Sequence, residues 1–212
     1  MRSSILTVLV VVVLHGIVTV APGGLRPSPA AALAAQFDAE PVFWRQLEIA
    51  KQLVRFGDRR VLPQLEHWLG HADRHARGNA ALVFAGLGDP RGLEVIAAML
   101  SDRSDRPEGQ GIAGAPSDGR YHVADQIRAD RYHAAHLLGD LRDARGVAML
   151  VPLLSDDSIN IIVPWSLGEI GGGAAVDALI VALDSPSPGV RVSAIETLQK
   201  LGRATRCRGC AR

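Results

Sequence analysis

The sequence has few aromatic residues for its apolar content. Of its 212 residues, 4% are aromatic, although 48% are hydrophobic. Alanine (30 residues) and leucine (25 residues) supply most of the apolar side chains. Both favour helices, whereas β-domains rely on β-branched and aromatic side chains. The composition therefore argues against an all-β fold, and its apolar fraction argues against intrinsic disorder.

The chain also lacks an excess of charge of either sign. Its 23 basic and 22 acidic side chains leave a formal net charge of +1. Without a basic excess, the protein has little to hold a phosphate backbone, so we predict that it does not bind nucleic acid. Lysine is nearly absent: only Lys51 and Lys200 are lysine, and all the other basic residues are arginine.

Motifs of known catalytic sites are missing as well. The sequence contains no Gly-rich phosphate loop after a strand, no GxSxG and no HExxH. Its two cysteines, Cys207 and Cys210, form one CxxC pair, which supplies only two of the four ligands of a structural zinc site. We therefore predict a protein that is not an enzyme and holds no cofactor, with a flexible tail over residues 203–212.

The first 34 residues have the organisation of an export signal. Arg2 is followed by an apolar run from Ile5 to Val20, and Ala32-Leu33-Ala34 places small residues where signal peptidase requires them. This pattern predicts cleavage after Ala34 and a periplasmic or secreted protein. The alternative is an uncleaved membrane anchor formed by residues 5–25, since a slightly longer run would span a bilayer.

An internal repeat of helical period organises the rest of the chain. Five anchor positions mark it: Gly57, Gly88, Arg142, Gly171 and Gly202. Apolar residues recur one, four and eight positions before each anchor, and again five, eight and twelve positions after the first four. Each set lies on one face of a helix. Glycine at the anchor suits a left-handed turn, and an acidic residue after it suits a helix N-terminus.

This pattern predicts pairs of helices that stack on one another, because one pair cannot bury both apolar faces alone. The motifs that carry it run from Arg77 to Arg91, from Arg131 to Gly139 and from Val190 to Gly202. They resemble the bacterial HEAT-like repeats first named for phycobilisome lyase subunits. The resemblance implies an all-α fold, a right-handed α-solenoid of antiparallel helix pairs with about nine helices. We place this domain at residues 38–202, with a loop insertion at 101–123.

Three arginines stand eleven positions before their anchors, and we call them the arginine ladder: Arg77, Arg131 and Arg191. The resemblance implies that they bond to the preceding inter-repeat turn and hold neighbouring units in register. Three nearby acidic residues are candidate partners: Asp73, Asp130 and Asp184. The alternative interpretation is a surface for an acidic partner.

Apolar residues that face outward on the predicted second helices are candidate binding residues. Three such positions predict a groove for another protein or peptide: Val95, Met149 and Val181. In the insertion, Tyr121 and His122 are further candidates for contact with a partner, because insertions in solenoids often lie on the binding face. Two local features are also predicted, a kink at Pro164 and a last first-type helix from Pro188 to Leu201.

The function that these observations favour is a non-catalytic protein–protein interaction scaffold in the cell envelope. The alternative is a metal-dependent enzyme or a lyase-like accessory subunit built on the same repeats. His133 and His136 are three residues apart on one predicted helix, a spacing that can bind a metal. HEAT-like enzymes with di-iron sites use His-Glu dipeptides, however, and this sequence contains none.

Overall fold

The computed structural model describes residues 27–104 and 123–209. Over these ranges the chain has ten α-helices and no strand, which confirms the all-α prediction. The helices are α1 (Pro29–Ala39), α2 (Phe43–Val54), α3 (Leu62–Leu65), α4 (Arg74–Gly86), α5 (Pro90–Ser101), α6 (Val123–Leu141), α7 (Arg145–Leu150), α8 (Val163–Ile170), α9 (Gly172–Val181) and α10 (Pro188–Gly209). Short 3₁₀ segments extend the second helices: Arg59–Val61 and Glu66–Gly70 around α3, Val151–Ser155 after α7, and Ala182–Asp184 after α9.

The helices alternate between two roles. The first helices of the units are α2, α4, α6, α8 and α10, and each contacts the next one along the chain. The second helices are α3, α5, α7 and α9, each of which follows its own first helix across a tight turn. This arrangement is the predicted α-solenoid, in which units contact only their neighbours. Helix α1 is an additional element that the repeat pattern does not predict.

The tight turns form at the predicted anchors. Gly57, Gly88 and Gly171 have φ angles of +66°, +75° and +69°, and Arg142 also has a positive φ, at +56°. Arg142 is the one non-glycine residue with positive φ in the described ranges. The repeat thus requires a left-handed turn strongly enough to impose it on a side chain that disfavours it by about 1–2 kcal/mol.

The fifth anchor is wrong as a turn. Gly202 lies inside α10, which continues to Gly209 and includes most of the segment predicted as a flexible tail. Glycine costs a helix only about 1 kcal/mol, and the positions that would begin a second helix carry Cys207 and Cys210 instead of leucine or valine. A second helix after Gly202 would have no apolar face to pack against α10, so nothing stabilises a turn at Gly202.

The core lies between the paired helices. Residues four positions before the first four anchors are fully buried: Leu53, Phe84, Leu138 and Leu167. The alanine pairs Ala80/Ala81 and Ala134/Ala135 are fully buried too. Small side chains at these positions let neighbouring helices approach closely, and the larger side chains fill the layer between them.

Pro164 does not kink a helix, contrary to the sequence prediction. Helix α8 begins at Val163, so Pro164 stands in its first turn. A first-turn residue has no carbonyl to which its amide could donate, so proline is tolerated there. The residues before it form a separate 3₁₀ turn, Asn160–Ile162. Proline therefore starts a short helix at this position.

Helix α1 covers the end of the stack next to α2. Phe37 is fully buried, and Leu33 and Ala34 pack against the same core cluster. The predicted cleavage point after Ala34 lies within this helix, while the apolar run lies outside the described residues, so the export signal stays a prediction. Among the described residues, no helix combines the length and apolar character that a membrane crossing requires.

The close approach of α4 and α5 depends on Gly92 in α5. A methyl group there would overlap backbone atoms of Ala81 and Ala85 in α4. We expect Gly92→Ala to lower the free energy of unfolding by about 1–3 kcal/mol, although the same change in an exposed helix stabilises it by about 1 kcal/mol. Urea unfolding followed by circular dichroism measures the difference.

Gly173→Ala in α9 is the matched control, because no atom lies within 4 Å of the added methyl group. It should leave stability unchanged or raise it. Equal effects of the two substitutions would contradict the packing described for Gly92.

Candidate functional site

The arginine ladder contacts main-chain carbonyls that precede each arginine. Arg131 is only 2% exposed; its Nε donates to the Leu100 carbonyl at 2.6 Å, and its Nη2 donates to Asp156 at 2.6 Å. Arg191 donates to the carbonyls of Ser185 and Pro186 at 2.7 and 3.0 Å. The third member, Arg77, donates to the Ala72 carbonyl at 3.4 Å. These contacts join consecutive units and favour a structural role for the ladder.

The acidic partners of these arginines differ from the predicted ones. Asp73 accepts from the amides of His75 and Ala76 and so begins α4, because a side-chain oxygen there satisfies amides that have no helical partner. Asp130 lies 3.6 Å from Arg74, and no ion pair of Asp184 occurs among the described residues. Proximity in sequence is a poor guide here, because the partner comes from the next turn of the solenoid.

Asp156 performs this role for Arg131, and Asp102 stands in the equivalent turn one unit earlier, where it pairs with an arginine outside the ladder. Asp102 pairs with Arg74 at 2.9 Å, and Asp156 pairs with Arg131. Both lie in a Ser-Asp-x-Ser turn between units, at 101–104 and 155–158, in which the second serine donates to the aspartate. Burial raises the pKa of Asp156, but hydrogen bonds from Arg131 and Ser158 outweigh it and hold that pKa well below its ordinary value. The repeated motif is a sequence signal that could have identified both residues.

The turns within the units carry a second set of ion pairs. The aspartate after each of three anchors accepts from the amide two residues on and pairs with that residue's arginine side chain: Asp58–Arg60, Asp89–Arg91 and Asp143–Arg145. Sequence reasoning identified the capping aspartates and missed their arginines, which also recur at a constant position. Glu169 accepts from Arg142 and Lys200 at 2.8 Å each and so links this edge across units.

The predicted groove residues do not form one exposed surface. Val95 and Met149 are partly buried and pack against the core cluster, whereas Val181 is 70% exposed. The difference arises because Val95 and Met149 lie seven positions after their anchors and Val181 lies ten. Tyr121 and His122 lie outside the described residues, so their role stays a prediction.

A consistent surface appears when the second helices are compared at equal offsets. Nine and ten positions after the anchors stand Ala97/Ala98 in α5, Val151/Pro152 after α7, and Ile180/Val181 in α9. Five of these side chains are exposed, and we call them the second-helix surface: Ala98, Val151, Pro152, Ile180 and Val181. Val151 and Ile180 are 41% and 51% exposed. Uncovered aliphatic side chains at equivalent positions of neighbouring units indicate a binding surface.

The candidate metal ligands His133 and His136 contact different neighbours. His133 packs on His75, with their ring centroids 4.3 Å apart, and His136 stacks on Trp165 at the same distance. Burial, with help from nearby His75 and His136, lowers the pKa of His133 to about 3. Within residues 27–104 and 123–209, no three histidine, cysteine, aspartate or glutamate side chains are grouped to hold a metal ion.

Comparison with known families agrees with this architecture. The model of the PBS lyase HEAT-like repeat matches residues 165–185, which run from α8 through Gly171 and α9 to the following inter-repeat turn. The match identifies the unit of α8 and α9 as a HEAT-like repeat. A search of curated proteins finds no match to it. The matched unit is the one that presents Ile180 and Val181.

The hydrogen bonds that buried Arg131 donates to the Leu100 carbonyl and to Asp156 should be essential to stability. Arg131→Gln removes the donor to the Leu100 carbonyl and the buried partner of Asp156, which keeps its pair with the exposed Arg103 and its hydrogen bond from Ser158. We expect a loss of about 1–3 kcal/mol in the free energy of unfolding, because the buried carbonyl is left without a donor. Arg145→Gln is the control, because its pair with Asp143 is solvent-exposed on the arginine side and such pairs contribute about 0–1 kcal/mol. Similar losses in both variants would contradict this account.

Stability should also fall in acid because of His133. Its pKa is lowered from 6.5 to about 3 in the folded protein, so below pH 6.5 the unfolded chain binds a proton more readily than the folded chain. The contribution of neutral His133 is present above pH 6.5 and is lost progressively as the pH falls towards 3.

Melting temperatures measured between about pH 7.5 and about pH 5 check this linkage. We expect His133→Gln to show a smaller acid-induced decrease than the wild type, and His67→Gln, at an exposed histidine, to show the same decrease as the wild type. An unchanged decrease in the His133 variant would refute the assignment.

Proposed function

We propose that the protein is a non-catalytic scaffold that binds another protein or a peptide in the cell envelope. HEAT-like repeats form helical scaffolds for protein interaction, and this chain has their architecture. One observation indicates which surface of the molecule would bind the partner. Turn residues such as Asp89–Arg91, Arg131–Asp156 and Arg142–Glu169 form ion pairs within the chain, whereas aliphatic side chains on the second helices stay uncovered.

The envelope location rests on the N-terminal sequence. Arg2, the apolar run from Ile5 to Val20 and the small residues at 32–34 support export. Residues 5–25 would instead anchor the protein if they were retained. Either outcome places the solenoid on the far side of the cytoplasmic membrane or attached to it.

Site-specific photo-crosslinking tests the proposal. A photoreactive amino acid is introduced at Val181 of the full chain in cells, with Gln52 as the control position on the exposed face of α2. We expect a discrete protein adduct from position 181 in the envelope fraction and none from position 52, because only the former lies on the second-helix surface.

Two outcomes would contradict the proposal in different ways. An absence of adducts at position 181, or equal adducts at both positions, would refute a scaffold that uses this surface. Adducts from position 181 that occur only in the cytoplasmic fraction would leave the scaffold intact and refute the envelope location.

A further inference from the structure

The second-helix surface has an order across the stack. Successive first helices contact each other directly, and α5, α7 and α9 each contact their own first helix. Equal offsets from the anchors therefore place Ala98, Val151/Pro152 and Ile180/Val181 at equivalent positions of successive units, and we call this series the row. The side chains of this row are increasingly large and exposed towards α9, where Val181 is the most exposed large apolar residue of the described chain.

The row lies opposite the buried face of each second helix. In α9, Ala175 and Leu179 are fully buried, while Asp177, Ile180 and Val181 are exposed. In the unit before it, Val147 and Leu150 are buried, while Val151 and Pro152 are exposed. The exposed aliphatic side chains therefore fill no space within the solenoid itself.

Carboxylates border this row on both sides. Glu94 and Asp177 stand at equivalent positions, one helical turn before the row position of their own unit. Asp184 follows Ile180 and Val181, in the 3₁₀ segment that continues α9. All three side chains are exposed, and no ion pair holds any of them within the described ranges. The turn aspartates differ, because Asp58, Asp89 and Asp143 each pair with an arginine.

Cations near the row are already engaged. Arg91 and Arg145 lie at the start of α5 and α7, and each pairs with the aspartate of its own turn. Uncovered aliphatic side chains therefore lie between carboxylates that pair with no cation of the described ranges. Electrostatic complementarity favours a partner that brings positive charge and disfavours polyanions such as nucleic acids.

The spacing of the row favours a helical occupant. Packed helices lie about 8–10 Å apart, and the contacts between successive first helices make that distance the repeat of the units. Apolar groups of a partner that reach equivalent positions of two neighbouring units must be separated by roughly that distance. Residues i and i+7 of an α-helix lie on one face about 10.5 Å apart. In an extended chain, residues that share a face repeat every second position, about 6.6 Å, and match the row less well.

We infer that the second-helix surface binds a cationic amphipathic helix, with aliphatic residues on Ile180, Val181 and Val151 and lysine or arginine residues beside Asp177, Asp184 and Glu94. This inference rests on the proposed scaffold function and names the chemistry of its partner. Helix-in-groove recognition of this kind depends on aliphatic anchors at i, i+3/i+4 and i+7 of the bound helix.

Fluorescence anisotropy with three labelled peptides tests the inference on the full-length protein. The first peptide carries leucine at i, i+4 and i+7 with lysine on both flanks. The second replaces lysine with glutamate, and the third keeps the lysines but scrambles the leucine positions. We expect saturable binding of the first peptide that weakens with salt, and at least roughly tenfold weaker binding of the other two.

Protein variants locate the binding. The double variant Ile180→Ser/Val181→Ser and the double variant Asp177→Asn/Asp184→Asn should each weaken binding of the first peptide by roughly tenfold or more. Val192→Ser is the matched control, since Val192 is an exposed valine, at 55%, that stands on a first helix, α10, and not on a second helix. Circular dichroism shows that each variant is folded.

Equal affinity for the scrambled peptide, or for the variants of the row, would overturn the inference. Failure of the inference and failure of the proposed function are distinguishable. A protein adduct at position 181 without peptide binding would keep the scaffold and refute a cationic helix as its partner. Peptide binding that Val192→Ser weakens as much as the row variants would move the site elsewhere.

Discussion

Each helix pair of this protein depends on its neighbours to bury its apolar face. A pair of about 30 residues has too little core to fold alone, and here the contact between successive first helices supplies the missing burial. Fully buried alanines at 80, 81, 134 and 135 set the distance between helices. The turns with positive φ connect the two helices within each unit, and the hydrogen bonds of buried Arg131 fix one unit on the next.

Much of the fold is predictable from the sequence because the stacking constraint recurs in every unit. The repeat placed the turn at Arg142, where composition alone would suggest no left-handed residue, and the structure confirms it. Prediction failed where a position depends on something other than the repeat. Gly202 has the anchor's sequence context but no apolar second-helix pattern after it, and Pro164 is tolerated because a 3₁₀ turn ends before it.

The candidate site was less predictable for a related reason. Ion pairs such as Arg131–Asp156 join residues 25 positions apart, so nearby aspartates were poor candidates. The three predicted groove residues stand at different distances from their anchors, so the half-buried Val95 and Met149 are not equivalent to the exposed Val181. The position seven residues after an anchor packs against the core, whereas the positions nine and ten residues after it lie at the surface. Among the described units, only those with anchors Arg142 and Gly171 carry large aliphatic residues at these surface positions.

The residues at the surface of the solenoid therefore fall into two groups: charged residues that hold the stack together and aliphatic residues that remain for a partner. The most direct test is to measure both the free energy of unfolding and the yield of the position-181 adduct in the same set of variants. Arg131→Gln should lower stability strongly, whereas Ile180→Ser, next to the photoreactive group, should lower adduct yield with stability within about 0.5 kcal/mol of the parent. A variant at Ile180 that unfolds the protein, or one that leaves the adduct unchanged, would contradict this division.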